Sequence, residues 1–346
     1  MKKSAALALL AGASAIAHAQ SNVTLFGIVD AGVRYTKNGD EKVTSVSSNG
    51  ASTSRLGFRG VEDLGGGLKA GFWLESGFTP DTGTQSDASR FWNRRSTVSL
   101  FAPFGELRLG RDTTPTYTGY ADYDAFGDNG VAAIGKLISK LGTNVDTNVR
   151  ADNLVSYFLP GGLSGVYGQL TVAPGEGVDG KKFYGGRIGY SAGPLDASGS
   201  YGETTVTPLP GGSDKYKLGT LGASYDFGVV KLTGTISQAK YSGQKQVVFN
   251  LGALVPVGPG NVRVSYVDAN ASGQTGSGAS IDDNDAHQFA IGYVYDLSKR
   301  TSLYTTVAKV DNKGAAAFVV DGNPALTKPN DGRDSTGIEF GIRHRF

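Results

Sequence analysis

The sequence predicts an all-β fold: a 16-stranded antiparallel transmembrane β-barrel with a long third loop folded into its lumen. Three observations carry that expectation. Apolar residues alternate with polar ones over short segments, and no run of eighteen or more apolar residues follows the first nineteen positions. That pattern offers no transmembrane helix, but it fits a membrane barrel, in which each strand is a weak signal and the evidence lies in their number. Glycine numbers 52 and tyrosine and phenylalanine 16 each, a composition suited to tight turns and interfacial rings. One polar and aromatic segment, residues 112–149, breaks the alternation for longer than an idle loop in a compact domain normally does.

Residues 1–19 read as a secretory signal peptide: Lys2 and Lys3 form the basic start, Ala5 to Ala17 the apolar run, and Ala17-His18-Ala19 the cleavage pattern. Cleavage leaves residues 20–346 as one barrel domain. It removes two lysines and no acids, so 31 basic residues remain against 31 acidic ones. A neutral chain gives no support to a nucleic-acid partner. Cysteine is absent, which excludes disulfides and thiolate metal sites in a chain that leaves the cytoplasm.

The first strand, Val23 to Lys37, puts Val23, Leu25, Val29, Val33 and Tyr35 on one face and Thr24, Ile28, Asp30 and Arg34 on the other. One face carries no charge, as a wall with lipid outside and water inside requires. After a Ser/Thr/Asn/Gly loop, Ser54 to Gly60 turns through Glu62 to Gly67 into Leu68 to Phe78. Arg95 to Phe101 turns at Pro103-Phe104-Gly105 into Glu106 to Gly110, which leads to the long segment. Five more hairpins follow, with strands beginning at Arg150, Phe183, Lys215, Gln246 and His287, and Thr336 to Phe346 ends the chain. Seven short-turn hairpins and two single end strands make sixteen, an even number whose ends can pair and close the sheet. A barrel of about 16 strands leaves an aqueous channel. Tyr35, Phe78, Phe91 and Trp92 cluster by the long loops, and Phe104, Tyr225, Phe227, Tyr295 and Phe346 by the short turns, where interfacial girdles would sit.

Several blocks, in order, resemble one family: VTLFGIVDAGV, SRLGFRGVEDLGGGLKAGFWLESGF, FGELRLGRDTTP, DNLVSY, YDLSKRTSLY and the ending GIRHRF. Together they are similar to the general diffusion porins of the betaproteobacterial Gram-negative outer membrane. The resemblance implies a homotrimer of 16-stranded barrels in outer-membrane lipid, passing ions and small hydrophilic solutes, with the third loop as a constriction. It also implies that Phe346 is a signal read by the barrel-insertion machinery, and that a basic half-ring on the wall faces acidic loop residues. Residues 112–149 are independently the third long loop.

By strand parity Arg34, Arg55, Arg59 and Arg150 point inward and are the expected basic side of the constriction. Asp122, Asp124 and Asp128 of the loop, with Glu75 from the wall, are the expected acidic side. Arg95 has inward parity near a strand end, while Arg94 and Arg111 have lipid-facing parity unless a bulge intervenes. More inward arginine than neighbouring acid implies a mild anion preference. The ordinary alternative is that these charges are solvated or only hold the loop.

No catalytic residue, cofactor or metal is expected. His287 and His344 are the only histidines after processing, which argues against a barrel hydrolase. Asp282-Asp283-Asn284-Asp285 lacks the glycine and glutamate of an EF-hand loop. An adhesion or binding barrel acting through its surface loops stays open, because Val206 to Asp214 and Ala269 to Asp285 follow no assignable pattern.

Overall fold

The computed structural model describes residues 22–320, 326 and 332–346, so the expected leader lies outside the described residues. Sixteen strands build the wall. They are β1 (Asn22–Asn38), β2 (Arg55–Gly65), β3 (Leu68–Thr79), β4 (Arg95–Ala102), β5 (Gly105–Thr113), β6 (Arg150–Phe158), β7 (Val166–Ala173) and β8 (Lys182–Ala192). The second half comprises β9 (Leu195–Thr205), β10 (Lys215–Asp226), β11 (Lys231–Tyr241), β12 (Gln244–Val257), β13 (Gly260–Gly273), β14 (Ala286–Asp296), β15 (Thr301–Asn312) and β16 (Ser335–Arg345). Every neighbouring pair is antiparallel. The sheet closes where β1 meets β16, from Ile28 opposite Arg345 to Asn38 opposite Ser335. The Phe346 and Gly27 backbones exchange two hydrogen bonds of 3.1 Å at that seam. A Cβ on Gly27 would lie 2.3 Å from the Phe346 ring, so only glycine lets the ring sit there.

The alternation holds along the wall. Val23, Leu25, Val33, Val98, Leu170, Ile188, Leu221 and Phe340 are exposed on the outside, while Asp30, Arg34, Thr97, Ser99, Gln246 and Glu339 are buried inside. Phe91, Phe104, Tyr225, Phe227, Tyr295 and Phe346 are exposed near strand ends.

The connections differ from expectation in four places. The sixth outer loop is only the turn Ser242-Gly243, because β11 and β12 run on to Tyr241 and Gln244. Residues 238–245 are polar, yet Ala239 and Tyr241 are buried inward, so period two continues with polar groups outside. The serine-rich segment after β1 is also ordered: Glu41–Ser48 pairs back on the upper half of β1, from Asn38 opposite Glu41 to Ala31 opposite Ser48. Asp112 and Thr113 belong to β5, past an irregularity between Gly110 and Asp112, so the third loop begins at Thr114. The acidic run ties down its own loop, with Asp282 accepting the Gly273 N–H at 2.8 Å and Asp285 the Ala271 N–H at 3.0 Å.

Asp30, inward and fully buried, fixes the first loop. Its carboxylate accepts the backbone N–H groups of Gly50, Ala51 and Ser52 at 3.2, 3.0 and 2.8 Å and the Tyr304 hydroxyl at 2.7 Å. Asp30→Ala leaves those donors unpaired and is expected to cost roughly 2–4 kcal/mol. In cold-SDS electrophoresis the folded, fast-migrating band should be lost at a lower temperature, with Asp30→Asn intermediate.

Candidate functional site

The loop from Thr114 to Val149 turns into the barrel and lies along half of its inner wall. Its ends are tied by the Thr114 N–H to Val149 carbonyl bond of 3.1 Å. It opens with helix α1 (Pro115–Ala121), started by Thr114 as N-cap and Pro115 in the first turn. The helix packs on β8, β9 and β10. Tyr123 then donates to Asp196 of β9 at 2.6 Å. Further on, Val131 N–H reaches Glu339 of β16 at 3.3 Å, and Gln288 of β14 donates to the Ala132 carbonyl at 3.0 Å. Gln246 of β12 clamps both sides of a turn, donating to Leu137 O at 2.9 Å and accepting from Ser139 N at 2.7 Å.

Between these polar anchors, Val131, Ile134, Leu137 and Val145 pack on Leu218, Val248, Val267 and Val310 of the wall. Each such burial contributes about 1.5–3 kcal/mol. The protein's main apolar core therefore lies between loop and wall, off the barrel axis. Close approach depends on small wall residues: a Cβ on Gly222 would fall 2.2 Å from the Tyr123 ring.

The uncovered wall opposite carries a cluster of charges. Arg55 of β2, Arg94 just before β4 and Arg150 at the start of β6 gather around Glu75 of β3. Glu75 accepts Arg94 Nε at 2.5 Å, lies 3.7 Å from Arg55 Nε, and takes the Trp73 indole N–H at 3.1 Å. Arg150 Nε donates to the Arg94 carbonyl at 2.9 Å. Two guanidiniums thus approach one carboxylate, and a third, that of Arg150, is hydrogen-bonded beside them. A second, balanced group adjoins it: Asp112 lies 2.7 Å from Arg108 and 3.4 Å from Arg95, and Arg108 also holds Glu106 at 2.8 Å. From the loop, Tyr117 and Asp128 interact with this wall through Arg150, and with each other.

Of the expected basic residues, Arg55 and Arg150 come together, and two do not join them. Arg34 is buried under the loop, its guanidinium 2.6 Å from Glu339, so it supports the acid that holds Val131. Arg59 lies four residues, two repeats of the pleat, further toward the short-turn end and stacks over Phe26 and Trp73, 5.4 and 5.0 Å from their centroids. On the acidic side Glu75 stands on the wall beside Arg94 and Arg55. Asp122 instead pairs with Arg187 of β8 at 2.5 Å, on another part of the wall. Asp124 is buried and turned into its own loop, accepting the Phe126 and Asp128 N–H groups at 3.1 and 2.8 Å. Burial, with Asp128 adding to it, pushes the Asp124 carboxyl up to about 7. Asp128 accepts the Gly135 N–H at 2.8 Å and is the one loop acid near the arginines.

Parity alone misses Arg94. Asn93 bonds both the N–H and carbonyl of Gly77, at 2.8 and 3.3 Å, which takes residues 93–94 off the regular ladder and turns Arg94 onto Glu75. Arg111 is engaged elsewhere, with Asp152 at 2.5 Å and the Asn93 carbonyl at 2.8 Å. Arg150 reaches the group for a reason other than alternation: Asn153 has a φ of 57°, which breaks the period, and Ala151 is the buried neighbour.

A closed barrel, apolar outside and lined inside by a docked loop and facing guanidiniums, defines a transmembrane channel. The chain belongs to the Gram-negative porin family, which it matches over residues 5–315. It is 41% identical, over the full length of both chains, to outer membrane porin protein 32 of Delftia acidovorans. It is 30% identical over both full lengths to the major outer membrane protein P.IB of Neisseria meningitidis serogroup B. Among solved structures, an anion-selective porin from Comamonas acidovorans superposes with a TM-score of 0.84 at 38% identity, covering 94% of this chain and all of that one. The protein is thus an outer-membrane porin, a channel for passive diffusion.

Two outcomes test the seating of the loop. Gly222→Val should push Tyr123 off the wall and give noisier single-channel currents in an assembled barrel. Asp124 holds its proton to higher pH folded than unfolded, so its support for the docked loop is complete below pH about 4 and is lost as pH rises through 7. Closure events should therefore grow more frequent between pH 5 and 8, and Asp124→Asn should flatten that dependence.

Proposed function

We propose that the channel passes small hydrophilic solutes with a preference for anions, and that Arg55, Arg94 and Arg150 form the basic side of its constriction. The residue 114–149 loop is the other side, with Tyr117 and Asp128 facing the arginines. The observation that carries this reading is the gathering of Arg55 and Arg94 about the single carboxylate of Glu75, with the Arg150 guanidinium hydrogen-bonded to the Arg94 backbone beside them. Two positive charges remain in excess, or one if Asp128 is ionised. A unit charge passing within 4 Å of one of them gains about 1 kcal/mol in a water-like medium. The preference is therefore on the order of tenfold at low salt, and shrinks as the screening length falls to about 10 Å at 0.1 M. The anion-selective Comamonas acidovorans porin supports the same sign.

Arg59 extends the positive lining below the constriction, and Arg34 and Asp122 act by holding the loop. The reading needs no covalent step: His287 stacks on Tyr266 and His344 bonds Thr301, near opposite ends of their strands. In this proposal residues 1–19 are cleaved on export, Phe346 serves the insertion machinery, and three chains associate in the membrane.

Arg94→Gln and Arg150→Gln, each in assembled channels, are expected to lower the anion-to-cation permeability ratio about three- to fivefold. The zero-current potential in a tenfold KCl gradient measures this directly. Potentials identical to wild type in both variants would remove the assignment, whereas Arg34→Gln should act on stability and leave selectivity nearly unchanged.

A further inference from the structure

The outer surface carries a charge arrangement that conduction does not use. Lys217 of β10 stands directly opposite Lys240 of β11, and Lys240 directly opposite Lys245 of β12. Their sequence neighbours Tyr216, Leu218, Ala239, Tyr241 and Gln246 are buried inward, so all three lysines face outward. Strands are about 4.8 Å apart, and like charges directly across a ladder repel. Among the described residues, the one acid paired with this row is Glu203, 3.5 Å from Lys217. Glu203 is shared with the hydroxyls of Tyr184 and Tyr201. A row of three ammonium groups with one shared carboxylate is short of negative charge.

The row also sits at a definite height. Nine residues of β10 separate Lys217 from Asp226 at the short-turn end. At about 3.3 Å per residue and a tilt of about 40° this is a rise of roughly 23 Å, close to the height of about 25 Å of a barrel's apolar band. The lysines therefore lie where that band ends and the outer headgroups begin. Directly beneath them a shallow cavity of about 570 Å³ is lined by Lys217, Gly219, Leu221, Ile236, Lys240 and Val247. Gly219 leaves its floor low, while Leu221 and Ile236 are exposed on it.

We propose that Lys217, Lys240 and Lys245 bind the phosphate group of an outer-leaflet lipid whose acyl chain lies in the groove over Gly219. The charge deficit is complementary to a phosphate, and the cavity below it to a hydrocarbon chain. A soluble anion would satisfy the lysines and leave the groove unfilled.

Native mass spectrometry of the folded porin in detergent, titrated with diphosphorylated lipid A, tests this. Wild type should retain the lipid, and the Lys217→Gln, Lys240→Gln, Lys245→Gln triple variant should bind it at least tenfold more weakly at unchanged conductance. The matching triple arginine variant should restore binding, and Lys231→Gln with Lys299→Gln, at the short-turn end, should have no effect. Equal retention by wild type and the triple glutamine variant would overturn the proposal. So would equal binding of a phosphate-free lipid A, or full displacement by inorganic phosphate at equal concentration.

Discussion

In hydrocarbon a backbone N–H or carbonyl without a partner costs several kcal/mol, and no water is present to supply one. A sheet that must meet this condition has to close, and the pairing of β1 with β16 is where this chain does so. Closure fixes the rest. Sixteen strands make a cylinder too wide for its own side chains to fill, so the inside must be furnished by other means. Here a loop of the same chain supplies the packing, and its apolar residues find a partner surface on the inner wall that aliphatic side chains elsewhere find in a solid core.

The loop's position is specified by hydrogen bonds from neutral side chains as much as by charge. Gln246 and Gln288 are fully buried in the wall and address backbone groups at 2.7–3.0 Å. Such amides cannot be screened by salt, unlike an exposed ion pair. A channel that works across changing ionic strength gains from having its internal partition held this way. Of the ion pairs that do take part, Arg34 with Glu339 is buried, while Asp122 in its pair with Arg187 is half exposed.

Strand number, closure and the inside-outside assignment were legible because a period of two is a property of the backbone, and each hairpin repeats it. Asp30 and Arg34 on one face of the first strand, against Val23, Leu25 and Val33 on the other, already state which side is wet. What parity could not give were places where the period breaks. Asn153 with its positive φ and Asn93 with its side chain over Gly77 shift the frame by one residue, and these shifts bring Arg94 to Glu75 and Arg150 to the Arg94 backbone. Of the loop acids, Asp122 and Asp124 depart from expectation for a different reason. Asp124 resembles any exposed aspartate in sequence, and only its contacts reveal a carboxyl consumed by its own backbone. Lysine- and glutamine-rich stretches such as residues 238–245 read as loops because the outward face above the apolar band is polar too.

The loop's seat and the arginine wall occupy different arcs of the cylinder. The seat runs over β8 to β16, and the guanidiniums stand on β2 to β6. Hence, on the reading proposed for the arginines, the wall that seats the loop and the wall that sets the favoured sign are different arcs of the sheet. Drift in one need not disturb the other, and a lineage could retune its permeability toward a new diet by exchanging a handful of side chains on a frame that stays put.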